Sequence, residues 1–345
     1  MYLLHGRYCA FEFALLRYPC DIRDTGSVAI VNSVPDAGRL PQLAGRPMVT
    51  DGGMETDFIF HHGTDLPLFA AFPLLDDPAG RSLLAGYYDG YAAIARQAGA
   101  GLMLESATWR ANPDWGSQLG YSPADLARVN RDAITMLAGL RDRYGLADVV
   151  ISGMVGPRGD GYQPGEQPAP DEAADYHAPQ VEALAAAGSD IVSAYTLTSV
   201  GEAIGIVRAA RAAGVPVAIS FTTETDGRLA GGETLAQAIA AVDAAARPEY
   251  FQVNCAHPVH VAAALAEPGG WRERILGVRY NASTRSHAEL DEADDLDEGD
   301  IGLLAGDHRR VAAALPSLAI VGGCCGTDAR HVSALWDPMG LARWD

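Results

Sequence analysis

The stretch DIVSAYTLTSVGEAIGIVRAARAAGVPVAIS, residues 190–220, carries the pattern on which the fold turns. It opens with a short apolar, β-branched run over 190–195 and continues with an Ala-rich, helix-period segment over 200–213. Gly214 follows, where a helix ends most cheaply in a left-handed conformation, and a second β-branched run fills 215–220. Strand, helix, strand in that order is a βα unit of a parallel sheet.

The same alternation extends in both directions. Strands are predicted at 48–51, 101–106, 149–154, 190–195, 215–220, 250–254, 275–280 and 318–321. Amphipathic segments lie between them at 79–98, 122–144, 173–187, 200–213, 234–246 and 259–265, with Gly99 and Gly188 repeating the role of Gly214. Eight such repeats over about 290 residues match the size of one closed barrel. The predicted fold class is therefore α/β, a single (β/α)8 TIM barrel of parallel strands. An open doubly wound sheet would show a glycine fingerprint after its first strand, and Asp51-Gly52-Gly53 is not one. The barrel is assigned to residues 46–340. Residues 1–45, with Pro35, Gly38, Pro41 and Gly45, read as an N-terminal extension or linker.

Composition narrows the chemistry. The chain has 345 residues, 48% of them hydrophobic, which suits a large buried core. Its 25 basic residues face 44 acidic ones, a net charge of −19, and such a surface repels phosphate backbones and anionic headgroups. Neither nucleic acid nor membrane is expected as a partner. All the basic residues are arginine. Without lysine no Schiff base can form, so Schiff-base aldolases on this fold are excluded. Five cysteines are too few for a disulfide scaffold, and Arg7, Glu12 and Arg17 break up any signal-peptide core, so a reducing cytoplasm is expected. Cys9 and Cys20 are given no catalytic role. The acidic stretch 289–300 reads as a solvated loop or helix face, with a substrate-gating lid as the alternative.

The most specific signal is Gly322-Gly323-Cys324-Cys325-Gly326-Thr327, directly after the last predicted strand. Consecutive side chains of an extended segment point in opposite directions, so two adjacent thiolates reach one ion only where the backbone turns sharply, as glycine permits. Two buried small hydrophobes or a vicinal disulfide would need no glycine on both sides. Asn254-Cys255-Ala256-His257-Pro258 follows the sixth strand, and in a closed parallel barrel the C-terminal strand ends converge on one face. Cys255, Cys324 and Cys325 are thus predicted to hold a zinc ion with one open position. A substrate thiol bound there as thiolate is a nucleophile at neutral pH. His257 is expected to bond a neighbouring loop rather than the metal.

At these residues the chain resembles the homocysteine S-methyltransferase family, the barrel that also forms the homocysteine domain of cobalamin-dependent methionine synthase. The other matching motifs are Asp51-Gly52-Gly53-Met54-Glu55-Thr56, Thr108-Trp109-Arg110-Ala111-Asn112, Gly153-Met154-Val155-Gly156-Pro157 and Ser220-Phe221 with Asp226-Gly227. The resemblance implies zinc on the three cysteines, which act catalytically through it, and homocysteine sulfur as fourth ligand, with methionine as product. It places Asp51, Gly52 and Gly53 near the amino-acid end of the substrate, with backbone amides for its carboxylate. Thr108, Asn254 and Gly323 join them as substrate-binding residues. Two departures stand out. Glu55 occupies a place where many relatives have glycine, and Tyr195 stands where many carry a glutamate for the substrate ammonium. Glu105 is the available replacement; otherwise the acceptor is a different thiol. The expected partners are a small thiol acceptor and a small methyl donor. The barrel takes up most of the chain, leaving no room for a cobalamin or folate domain. A diffusible onium donor is therefore expected: S-methylmethionine, S-adenosylmethionine or a betaine. Trp109, Trp115 and Tyr162 are candidate aromatic faces for it. The alternative is a zinc barrel of another class, a hydrolase or lyase. A homo-oligomer is compatible with the sequence but not specified by it.

Overall fold

The computed structural model describes residues 40–337, apart from 163, 164 and 166. Cys9, Cys20 and most of the predicted N-terminal extension lie outside the described residues. Eight parallel strands close into a barrel in sequence order, β1 (Met48–Val49), β2 (Gly101–Glu105), β3 (Val149–Val155), β4 (Ile191–Leu197), β5 (Val217–Phe221), β6 (Tyr250–Ala256), β7 (Ile275–Tyr280) and β8 (Ile320–Gly323). Met48 and Val49 pair with Gly101 and Leu102 on one side and with Ile320 and Val321 on the other, which completes the ring. The predicted (β/α)8 barrel is what the chain forms.

The boundaries shift in an instructive way. β4, β6 and β8 each run two residues further than the hydrophobic pattern suggested, so Cys255 and Gly323 lie within strand ends rather than after them. β1 is shorter than expected and leaves Asp51 in a loop. Two elements had no clear apolar period to announce them: the turn of helix Met54–Thr56 running into a π-helix at Asp57–His61, and the short helix Pro113–Gln118 capped by Asn112. Helix starts follow local chemistry. Ser122, expected as the first helical residue, instead caps Pro123–Tyr144 in a reciprocal box with Asp125, and Thr234 does the same for Leu235–Ala245 with Gln237. Gly99, Gly188 and Gly214 all adopt positive φ at or just after helix ends.

Apolar contacts fall into two bodies. A large one fills the space between sheet and helices. A smaller one plugs the N-terminal end of the barrel interior with Met48, Met103, Val150, Ile191, Ala218, Tyr250 and Ile320 beneath Leu40. Each such aliphatic side chain contributes about 1.5–3 kcal/mol on burial. Above this plug the interior turns polar: Ser152 bonds Ser193 at 2.8 Å, Gln252 donates to Tyr195 at 3.1 Å, and Ser220 donates to Asn254 at 2.7 Å. Among the described residues no helix is long and apolar enough to cross a membrane.

Candidate metal and substrate site

The polar layer leads up to three sulfurs. At the end of β6 the register against β7 slips between Asn254 and Ala256, and Cys255 between them takes φ +56°. A non-glycine residue held there stores strain, and the bulge re-aims its side chain. β4 has a matching slip, with Thr196 at φ +61°. Asn254 ties the two irregularities together. Its Oδ1 accepts from the Thr196 amide at 2.8 Å and its Nδ2 donates to Thr196 Oγ1 at 2.8 Å.

Beyond β8 the cysteine pair sits in a pinned turn. The Cys324 amide donates to Tyr280 O at 2.7 Å, and Thr327 returns both its amide and its hydroxyl to Cys324 O. Gly326 takes φ +76°, supplying the turn anticipated from its sequence position, and at Gly323 an added Cβ would fall 1.9 Å from Thr327 Oγ1. The three Sγ atoms of Cys255, Cys324 and Cys325 lie within 4.8 Å of one another, and all three thiols are free.

These thiols share protons. Cys324 is held well below the ordinary thiol value by hydrogen bonds from Cys255 and Cys325, whereas burial pushes Cys255 up and its thiol neighbours push Cys325 up. Further polar groups surround the sulfurs. The Tyr162 hydroxyl is 2.9 Å from Cys255 Sγ, Asn281 Nδ2 is 3.7 Å from the same atom, and Asn254 Nδ2 is 3.7 Å from Cys324 Sγ. Tyr162 stacks on His287 at 4.3 Å, and His287 bonds Glu224 and the Cys255 carbonyl, each at 2.8 Å. His257 is not part of the cluster; it caps the helix Pro258–Ala264 through the Val259 amide, and burial lowers its pKa to about 4. A second group, His61, Glu298 and Asp328, already has its cation: Arg330 Nη2 lies 2.8 Å from Glu298 and 2.6 Å from Asp328.

The sulfurs open into a cavity of about 390 Å³. Asp51, Gly52, Gly53, Tyr195 and Asn254 line it together with all three cysteines, whereas Glu105, Thr108 and Gly323 stand behind its wall. Thr108 donates to Met154 O at 2.7 Å. Glu105 is fully buried, accepts from the Tyr195 hydroxyl at 2.6 Å and lies 3.9 Å from Arg279 Nη1. Tyr195 therefore spends its hydroxyl on Glu105 inside the barrel. Burial pushes the Glu105 carboxyl up to about 7 against the pull of Arg279.

The backbone amides anticipated as a carboxylate cradle are already engaged. The Gly53 amide donates to Thr327 O at 2.9 Å, and that of Gly52 serves the Tyr91 hydroxyl. The cationic charge at this end of the cavity comes from Arg279, which sequence reasoning missed. Its Nη2 is 2.5 Å from Asp51 Oδ1, its Nε donates to Gly323 O at 2.9 Å, and its guanidinium lies over the Tyr195 ring at 4.8 Å. Asp51 Oδ2 and Arg279 Nη1 remain buried without a hydrogen bond. The only available signal was one arginine inside the apolar run of β7.

Two more expectations change. Arg110 covers Trp115 at 3.7 Å and Trp109 at 4.7 Å, so each of these indoles already holds a cation. Trp115 does not line the cavity; Trp109 and Tyr162 do. The acidic stretch is more than a solvated face, since Leu290, Ala293 and Leu296 join Asp291, Asp295 and Asp297 in the cavity wall. Glu55 also lines the cavity, and burial pushes its carboxyl up to about 7.

Residues 48–338 match the protein-family model described as homocysteine S-methyltransferase. Among solved structures the fold is similar to the homocysteine methyltransferase MmuM from Escherichia coli. Its metallated form aligns with a TM-score of 0.68 at 21% identity over 87% of this chain and 99% of that one. Its oxidized form aligns with a TM-score of 0.68 at 20% identity over 87% and 98%. At such identities the likeness is one of fold. A search of curated proteins finds no match.

Proposed function

Since the chain belongs to the homocysteine S-methyltransferase family, we propose that it moves a methyl group from a small onium donor to a thiol, with homocysteine as acceptor and methionine as product. The observation that carries this reading is the meeting of Cys255, Cys324 and Cys325 sulfurs within 4.8 Å at the edge of one cavity. The donor set fits zinc: soft sulfur ligands select it over magnesium or calcium, and bonds of about 2.3 Å in a tetrahedron hold sulfurs about 3.8 Å apart. When bound, zinc supplies an open coordination position that keeps a substrate thiol ionised at neutral pH.

The chain's own groups position the reactants. Asn254 and Asn281 direct amide N–H groups at the sulfurs of Cys324 and Cys255, and the strained bulge at Cys255 holds the direction of its own side chain. The acceptor's amino-acid head is assigned to Asp51 and Arg279, whose Oδ2 and Nη1 have no hydrogen bond, an acceptor and a donor that match an ammonium and a carboxylate. Gly52, Gly53, Tyr195 and Asn254 shape this end of the cavity, while Glu105, Thr108 and Gly323 support it from behind. Three free thiols fit a cytoplasmic setting.

The test is methyl transfer by zinc-loaded protein to homocysteine and to a panel of small thiols, with S-methylmethionine, S-adenosylmethionine and glycine betaine as donors. Methionine formation is expected. Absence of transfer to every thiol, with one zinc per chain bound, would return the protein to the hydrolase or lyase alternative.

A further inference from the structure

Among the described residues, Arg110 is the one cavity-lining cation that neither the metal centre nor the Asp51 pair explains. Its residue is 8% exposed, and its Nε and Nη1 are buried without any hydrogen bond. The remaining nitrogen, Nη2, is ion-paired with Asp160 at 3.7 Å, which leaves Nε and Nη1 as the unbonded donors. Burial lowers its pKa, and the charges of Asp160 and then Glu55 work against that cost. Trp115 and Trp109 clamp the side chain, so its orientation is set before anything binds.

A buried, immobilised guanidinium with unused donors is costly unless a ligand completes it, and a carboxylate is the planar partner its fork matches. We propose that Arg110 is the residue that grips a carboxylate carried by the onium donor and so orients that donor in the cavity. The inference rests on the methyltransferase reading, in which the acceptor's head already has Asp51 and Arg279. Physical economy supports this placement. The positive charge of an onium fades as its methyl group leaves, so an anionic grip on the onium itself stabilises the ground state more than the transition state. A grip on the remote carboxylate persists unchanged through the transfer, and it aims the methyl at the thiolate.

The experiment uses zinc-loaded wild type, Arg110→Lys and Arg110→Met. Each is offered matched donors that differ only at the carboxylate: glycine betaine against its ethyl ester, and S-methylmethionine against its amide. Donor binding is measured by calorimetry, and KM for donor and for homocysteine by steady-state kinetics. Wild type is expected to prefer the acid of at least one pair by about 10–100-fold, as charge-assisted bonds typically give. Arg110→Met should erase that preference while leaving the homocysteine KM in place, and Arg110→Lys should retain part of it. Zinc content and circular dichroism show whether each variant is folded. The inference fails if wild type binds acid and neutral donor equally. It also fails if Arg110→Met weakens both alike, or if the homocysteine KM rises instead. Should wild type transfer no methyl at all, the methyltransferase reading falls, while the calorimetric preference and its loss in Arg110→Met still decide the role of Arg110.

Discussion

The two ends of this barrel's interior are built from the same eight strands and share almost no chemistry. At the N-terminal end, Met48, Met103, Val150, Ile191, Ala218, Tyr250 and Ile320 pack into an apolar plug whose one polar bond, Gln42 to Tyr250, is a loose 3.4 Å. A few residues further along the same strands, or just past the end of β1 for Asp51, stand Asp51, Glu105, Tyr195, Asn254, Cys255 and Arg279, all buried, with orphaned atoms on Asp51, Glu105 and Arg279 and a left-handed cysteine. Polar burial and backbone strain are costs, and they are concentrated at the end that faces the cavity. The plug offsets them. The difference teaches that stability and chemistry are separated along each strand, so substitutions at the two ends should have separable effects.

Cys324→Ala should give the largest effect. Losing one thiolate is expected to cost more zinc affinity than the roughly 10–100-fold typical of an outer-shell change, with activity falling in step and the fold retained. Metal analysis of purified variant beside wild type checks it; equal zinc in both would remove Cys324 from the site. At the opposite end, Ile191→Ala should destabilise the protein by about 2–5 kcal/mol through its cavity, read from urea unfolding. Zinc content per folded chain and KM should stay at wild-type values, and a shift in either would show that the two ends are coupled.

The smallest expected effect concerns the polar layer between them. Glu105 titrates at about 7 in the fold against an ordinary 4.5, so the native state holds its proton more tightly than the unfolded chain does. Its stabilising contribution is complete below the unfolded value and is lost as pH rises through about 7. Glu105→Gln removes that slope. The melting temperature of metal-free Glu105→Gln minus that of metal-free wild type should therefore rise from about pH 5 to about pH 8. A difference that stays level or falls would mean that Arg279 keeps Glu105 ionised throughout.

Much of this was legible beforehand, for reasons that can be named. The β-branched runs and Ala-rich periods marked every strand, because each strand is buried on both faces and each helix on one. The cysteines were legible as a set because a closed barrel leaves strand ends nowhere to go but one rim. Arg279 was not legible: its pairing with Asp51 depends on β7 and the loop after β1 meeting across β8, a contact that leaves no mark in local periodicity. Tyr195 was read as a loss of charge, when its hydroxyl is bonded to Glu105 within the barrel. The Gly52 and Gly53 amides were offered to a substrate but are used by Tyr91 and Thr327, partners distant in sequence.

Residue order alone was enough for the architecture, the absence of lysine chemistry and the three sulfurs, since periodicity and composition are local properties that burial selects one segment at a time. Which carboxylate is paired, which amide is free and which guanidinium is left with unused donors were decided only when distant segments came into contact. A hydrogen bond or ion pair is defined by distances of a few ångströms, and those distances exist only after the chain has closed on itself.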